Sequence, residues 1–334
     1  MDIFIAVDPR LDRDRLRLHD RCRRRIAMVR ALLAAALLGL AGCEAGPDEQ
    51  LDLLGENIFT GALSKDGSLA VVGAVEGGIW VLQQGRKLHE LKHSDGESAL
   101  ESASISPDSR RIATASGNRW HVWSAQSGRE LNAGTMDSLI RAVAVDNFGR
   151  LLIGTLNGGY WLDGDNGLQL SGTTTRALAL DGKRLMLGND DGLVTLWTVG
   201  ARRPSHQWQL SDQVEVVALE QDQGFAGARD APSRLLAIGE GAVNAELAQE
   251  SSYYPQPITI TAARIVAGGI WLGNTQRRAA FWDYSNLTEP SQTWRMPVRK
   301  GSNPGSARIV AFSRDGQRVR ALTGTGHLAT LVRQ

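Results

Sequence analysis

The chain has little cysteine, few aromatic residues other than tryptophan, and no long apolar run. Its 334 residues include two cysteines, four tyrosines, six phenylalanines and ten prolines, with a net charge of +1. Cys22 lies in an arginine-rich leader and only Cys43 stands beyond it, so no disulfide framework holds the fold together. The near-neutral charge argues against a strongly basic nucleic-acid surface. No apolar stretch reaches the ~20 residues that a membrane-spanning helix needs. Nor does a long helical period compete with the short apolar runs, which favours an all-β domain.

What is abundant is glycine, at 37 residues, and tryptophan, at nine. Both recur with a period. The stretch Ser102 to Leu131 reads as a strand (103–106), a Pro107-Asp108-Ser109 turn, a second strand (111–116), a Gly117-Asn118 loop and a third strand closing on Trp123. Ser127-Gly128 then turns into a fourth segment. Aligning the first hairpin turns gives Gly67, Ser109, Gly149, Gly182, Gly224, Arg264 and Gly316, spaced by 42, 40, 33, 42, 40 and 52 residues. A four-stranded propeller blade takes ~40 to 45 residues, so seven blades fit. Asp-Gly at 66–67, 181–182 and 315–316 supplies the positive φ that tight hairpins need.

Third strands follow in register at 79–82, 121–123, 160–162, 194–197 and 280–283, each carrying a tryptophan. At one per repeat these indoles are blade-packing residues. Trp120, Trp271, Trp208 and Trp294 fall outside that register and stay open to a surface role. Repeat five, 214–250, has no tryptophan and carries an insert around Arg229-Asp230-Ala231-Pro232, which makes it the least regular unit. The last repeat ends one strand short. The segment Gln50 to Leu54 is expected to pair with the C-terminal strand and close the ring.

The N-terminus follows a different logic. Arg21, Arg23, Arg24, Arg25 and Arg30 precede the apolar run Ala31 to Leu40, which ends in Leu40-Ala41-Gly42-Cys43. A basic flank and about ten apolar residues describe a secretory signal. Its last four residues resemble the bacterial lipobox, and that resemblance implies cleavage before Cys43 and diacylation of its sulfur. Met28 is the expected start, residues 1–42 are leader and signal, and 43–49 form the lipidated cysteine and a short tether. Six tether residues, Glu44 to Glu49, reach roughly 20 Å at most. Residues 44–334 carry 28 basic against 31 acidic side chains, which argues against nucleic acid. Glu44 is not the aspartate of an inner-membrane retention signal, so an outer-membrane, periplasm-facing location is expected.

Asn189-Asp190-Asp191-Gly192-Leu193-Val194-Thr195-Leu196-Trp197 resembles the loop and third strand of the WD-repeat family, and Phe281-Trp282-Asp283 carries its Trp-Asp pair. Ser313-Arg314-Asp315-Gly316 and Ser106-Pro107-Asp108-Ser109 resemble its first hairpin turn. The resemblance spans about 58 to 334 and implies an all-β propeller over 50–334, non-enzymatic and monomeric, that binds protein partners on its faces. The family's Gly-His pair before the first strand is missing throughout, which puts its buried histidine network in doubt.

The residues offer little catalytic chemistry. Six histidines, at 19, 89, 93, 121, 206 and 327, form no HExxH or comparable spacing, and neither a GxSxG elbow nor a Cys-His pair appears. His89 and His93, at the end of a fourth strand, are expected in solvent. Asp163-Gly164-Asp165-Asn166-Gly167 lacks the glycine position and closing glutamate of a calcium loop, and Gly324-Thr325-Gly326 leaves too few residues for a dinucleotide fold. Both read as turns. No cofactor and no metal are expected.

The expected function is a lipid-anchored scaffold in a cell-envelope complex with unidentified envelope proteins. An active site assembled across blades would leave no local motif, so a lactonase-like or quinoprotein-like propeller enzyme is the alternative. Candidate contact residues on the face formed by the second-to-third-strand loops and blade connections are Arg119, Trp120, Tyr253, Tyr254, Arg277, Arg278 and Lys300, with Tyr253, Tyr254, Arg277 and Arg278 foremost because tyrosine and arginine are over-represented among binding hot spots.

Overall fold

The computed structural model describes residues 44–93, 100–247, 258–313 and 318–333. Residues 45–334 form one compact unit. It is a seven-bladed β-propeller of four-stranded antiparallel sheets, whose only helix among the described residues is a short 3-10 turn at Pro304–Ala307. Strands are called a to d from the centre outward.

Blade 1 runs from Ile58–Leu63 to Arg86–Leu91, blade 2 from Ser102–Ile105 to Glu130–Thr135, and blade 3 from Ile140–Val145 to Asn166–Ser171. Blade 4 runs from Thr175–Asp181 to His206–Gln209, blade 5 from Val214–Glu220 to Ala242–Leu247, and blade 6 from Ile260–Val266 to Gln292–Arg295. Repeat five is thus a complete blade. Its Arg229–Pro232 insert is the turn between strands b and c.

Blade 7 takes its first three strands from Ile309–Phe312, Arg318–Thr323 and His327–Val332, and its outer strand from Glu49–Asp52. The expected ring closure is present, its strand starting one residue earlier and ending two residues earlier than the sequence suggested. Glu49 pairs with Thr330 and Asp52 with His327. An ion pair locks the seam: Arg299 donates to both Asp52 carboxylate oxygens at 2.6 and 2.7 Å and to the Thr325 carbonyl at 2.8 Å. The Arg299 hydrogen bonds hold the Asp52 carboxyl well below the usual range, at about 2.

Three expectations require correction. The tether is shorter than six free residues, because Ala45 bridges Trp294 in parallel and its carbonyl accepts from the Arg295 amide at 2.9 Å. Gly224 and Arg264 are not turn residues, since both lie inside strands and the turns sit at 221–222 and 267–268. Variable strand-a lengths moved the true turns away from a fixed spacing. The out-of-register tryptophans 120, 208, 271 and 294 are all buried. The tight turns at Gly164-Asp165 and Thr325-Gly326 are as read.

Adjacent blades meet through a repeated small residue. Gly73, Gly154, Gly188 and Gly273 sit near the end of strand b, and a Cβ there would lie 2.3 to 2.5 Å from Leu100, Thr175, Val214 and Ile309 of the next blade. Without a side chain, each glycine lets the following strand a press onto its backbone. Blade 7 has Leu322 in that register, opposite Ala311. Compensation comes from blade 1, where a Cβ on Gly61 would stand 2.9 Å from the Leu322 methyl.

Candidate functional site

Strand a starts, strand b ends, strand c starts and strand d ends all lie at one end of the propeller. That end, with the b–c turns and the blade connections, is here called the loop face. Six of the seven inner strands carry a register shift near their start, between residues 58/60, 140/142, 175/177, 214/216, 260/262 and 309/311. A bulge leaves one residue out of the ladder and re-aims its side chain. The skipped residues are Phe59, Arg141, Arg176, Glu215, Thr261 and Val310, a ring at the loop-face end of the central channel.

The ring is chemically divided. In blades 4 and 5 it is saturated by its own charges. Arg176 forms a two-pronged hydrogen bond to Asp190, at 2.9 Å for the Nη2 to Oδ2 prong, and reaches Glu215 at 3.8 Å. Glu215 accepts in turn from Arg229 at 2.7 Å. Blades 1 and 3 instead leave apolar groups in solvent. Phe59 is 50% exposed and Leu139 52%. Val75 and Leu156 are also exposed, and their amides donate to Asn57 and Leu139 carbonyls at 3.0 Å, which places each b–c turn against its own blade connection. Arg141, exposed, makes no hydrogen bond or ion pair among the described residues.

Between them, blade 2 has a rigid interior. The Trp123 indole donates to Thr114 Oγ1 at 2.8 Å, and His93 Nε2 lies 2.9 Å from the same oxygen. His93 stacks on His121 with ring centres 4.2 Å apart, and His121 stacks on Trp123 at 5.3 Å. His121 Nδ1 is 2.7 Å from Glu130. His93 is therefore buried, at 4% exposure, and not in solvent. Although no Gly-His pair precedes the strand, this blade has a buried histidine network.

The expected contact residues are dispersed. Arg119 opens strand c of blade 2 at the exposed edge, but Trp120 beside it is 8% exposed and packs over Gly134, so it belongs to the core. Arg277, in a left-handed conformation at φ 58, forms the b–c turn of blade 6, and Arg278 follows as the first residue of strand c. Lys300 is exposed on the connection from blade 6 to blade 7. Tyr253, Tyr254 and Cys43 lie outside the described residues. Phe59, Leu139 and Leu156 were missed because their exposure follows from bulges and turns, which apolar periodicity does not register.

Behind the ring lies a channel of about 400 Å³, lined by the inner strands of all seven blades. Its lining residues are mostly small and apolar by type, but most of the surface they present to the channel is polar. Arg264 lies midway along its strand, and Lys65, Asp181 and Glu220 lie toward the other face. Asp181 is engaged by Arg184 at 3.0 Å and by the Gln221 amide at 2.8 Å. Among the described residues, no group of three or more His, Cys, Asp or Glu is placed to hold a metal.

Comparison with solved structures agrees with this architecture. The chain matches the β-propeller domain of Cps50 (Swd1) from Myceliophteria thermophila with a TM-score of 0.68 at 11% identity, over 86% of this chain and all of that one. The fold is that of a WD-repeat-like propeller. At this identity the likeness establishes architecture alone. No protein-family model and no curated protein matches the chain.

Proposed function

We propose that the chain is a lipid-anchored, periplasm-facing scaffold that holds a protein partner on the loop face of blades 1 to 3. One observation carries this reading: Phe59 and Val75 on blade 1 and Leu139 and Leu156 on blade 3 are exposed apolar residues on the same face, with exposed Arg119 on blade 2 between them and exposed Arg141 following Leu139 on blade 3. Monomeric proteins expose single apolar residues freely, but apolar groups gathered on one face, edged with guanidinium groups, have the composition of a contact surface. Anchoring rests on the lipobox-like Leu40-Ala41-Gly42-Cys43.

Site-specific photocrosslinking in cells tests the reading. A crosslinker at position 59 or 139 is expected to capture the same discrete protein, whereas one at Asp165, on the opposite face, captures none. No adduct at 59 and 139, or the same adduct at all three positions, overturns the scaffold. Cys43→Ser is expected to abolish acyl labelling and release the protein from membranes.

A further inference from the structure

The basic residues are distributed unevenly around the ring. Residues 44–276 carry 18 arginines and lysines against 28 acidic residues, whereas 277–333 carry ten against three. Six of those ten gather at one place on the loop face. Arg277 is in the b–c turn of blade 6, and Arg278, opening strand c, pairs in register with Arg295, closing strand d. Arg299 and Lys300 follow on the connection, and Arg308 immediately precedes strand a of blade 7. Arg295, Lys300 and Arg308 are exposed. Asp52, on the same edge, is taken by Arg299, and the nearby Glu56 carboxylate accepts the Glu76 amide at 3.0 Å.

The N-terminal segment enters the propeller at the same spot. Ala45 bridges Trp294, and its carbonyl accepts the Arg295 amide. Cys43 precedes Ala45 by two residues, a reach of at most about 7 Å. From this juxtaposition of chain entry and basic rim, we infer that the rim of blades 6 and 7 docks on the headgroups of anionic phospholipids. This rests on the lipid anchor proposed above. An anchor so short keeps the rim within about one Debye length of the surface, where guanidinium and ammonium groups feel the lipid charge. Each cation near an anionic surface favours the docked state by roughly five-fold, and an acyl anchor joined to a basic patch is a recognised two-signal mode. Docking there turns blades 2 and 3, across the ring from blade 6, toward solvent. Leu139 and Leu156 stay open, whereas Phe59, whose carbonyl accepts from Arg308 at 2.6 Å, borders the docked rim.

The test uses the mature lipidated protein in phosphatidylethanolamine vesicles with and without phosphatidylglycerol. A fluorophore is placed through Gln276→Cys on the rim or Asp165→Cys on the far side, and quenching by headgroup spin-labelled lipid is read. Strong quenching at 276 and weak quenching at 165, on phosphatidylglycerol vesicles only, is expected. The triple variant Arg295→Gln, Lys300→Gln, Arg308→Gln is expected to lower the docked-to-free ratio by on the order of 100-fold, bringing quenching at 276 down to that at 165. Equal quenching at both positions, or no response to phosphatidylglycerol or to the triple variant, overturns the docking. A rim that is instead covered by an acidic protein gives that second result. Acyl labelling of the same preparation separates the two failures: an unlabelled protein refutes the anchor, and a labelled protein without selective quenching refutes only the rim.

Discussion

Blades 4 and 5 and blades 1 and 3 build the same rim from the same backbone device, a bulge near the start of strand a, and differ in whether its side chain is satisfied within the propeller. In the first pair the re-aimed residues are Arg176 and Glu215, and each finds its counter-charge within the propeller. In the second pair they are Phe59 and Arg141, which find neither an apolar cover nor an ion partner among the described residues. A bulge side chain satisfied by its neighbours stabilises the ring and has little left to offer a ligand. One left in solvent contributes little to folding and remains available. The division of the rim is therefore a division between structure and recognition.

The largest expected effect breaks the apolar sector. Phe59→Asp combined with Leu139→Asp places two carboxylates in the proposed contact. Hot-spot residues contribute ~2 kcal/mol or more each, so partner capture is expected to fall by at least about 30-fold. Both sites are exposed, and thermal unfolding is expected to move by less than ~0.5 kcal/mol. If stability collapses instead, the two residues are structural and the division is wrong.

The reverse experiment attacks the charged sector. Arg176→Met leaves Asp190 without its two-pronged donor and Glu215 with Arg229 and the Gln213 amide. Removing one partner of a half-buried, hydrogen-bonded pair is expected to cost about 2 kcal/mol, read by chemical denaturation. Capture at positions 59 and 139 is expected to stay as in the parent protein. A stable variant that loses capture would show that the charged sector is part of the contact.

Much of this fold is legible in the residues, for reasons that also explain what is not. Turn glycines and third-strand tryptophans answer local needs, positive φ and blade packing, so they recur wherever a blade recurs. The ring closure was legible because the last repeat lacked a strand. A further signal was present and unused: the small residue late in strand b, at Gly73, Gly154, Gly188 and Gly273, which marks the contact of one blade with the next. Residues whose setting comes from elsewhere were misread. His93 is buried by stacking on His121 and Trp123 of the next blade, and Trp120 turned inward although its neighbour Arg119 is exposed. Phe59 is apolar and directly follows buried Ile58 in its strand, so only the bulge reveals that it faces water.

The smallest effect concerns the other charge-filled place on this face, the seam between the ends of the chain. The Arg299 hydrogen bonds lower the Asp52 pKa to about 2 in the folded protein, against roughly 3.9 in an unfolded chain. A depressed carboxylate stabilises the fold fully above its unfolded pKa, and that contribution is lost as pH falls through the folded value. The window therefore runs from about pH 5 down to about pH 2. Asp52 is 42% exposed, so solvent screening keeps the contribution near or below ~1 kcal/mol. Asp52→Asn is expected to flatten the acid limb of the stability profile by that amount and to reduce its salt dependence, while leaving capture at 59 and 139 unchanged. An acid limb identical to the parent's would mean that backbone pairing of Glu49–Asp52 with His327–Thr330 closes the ring without help from the ion pair.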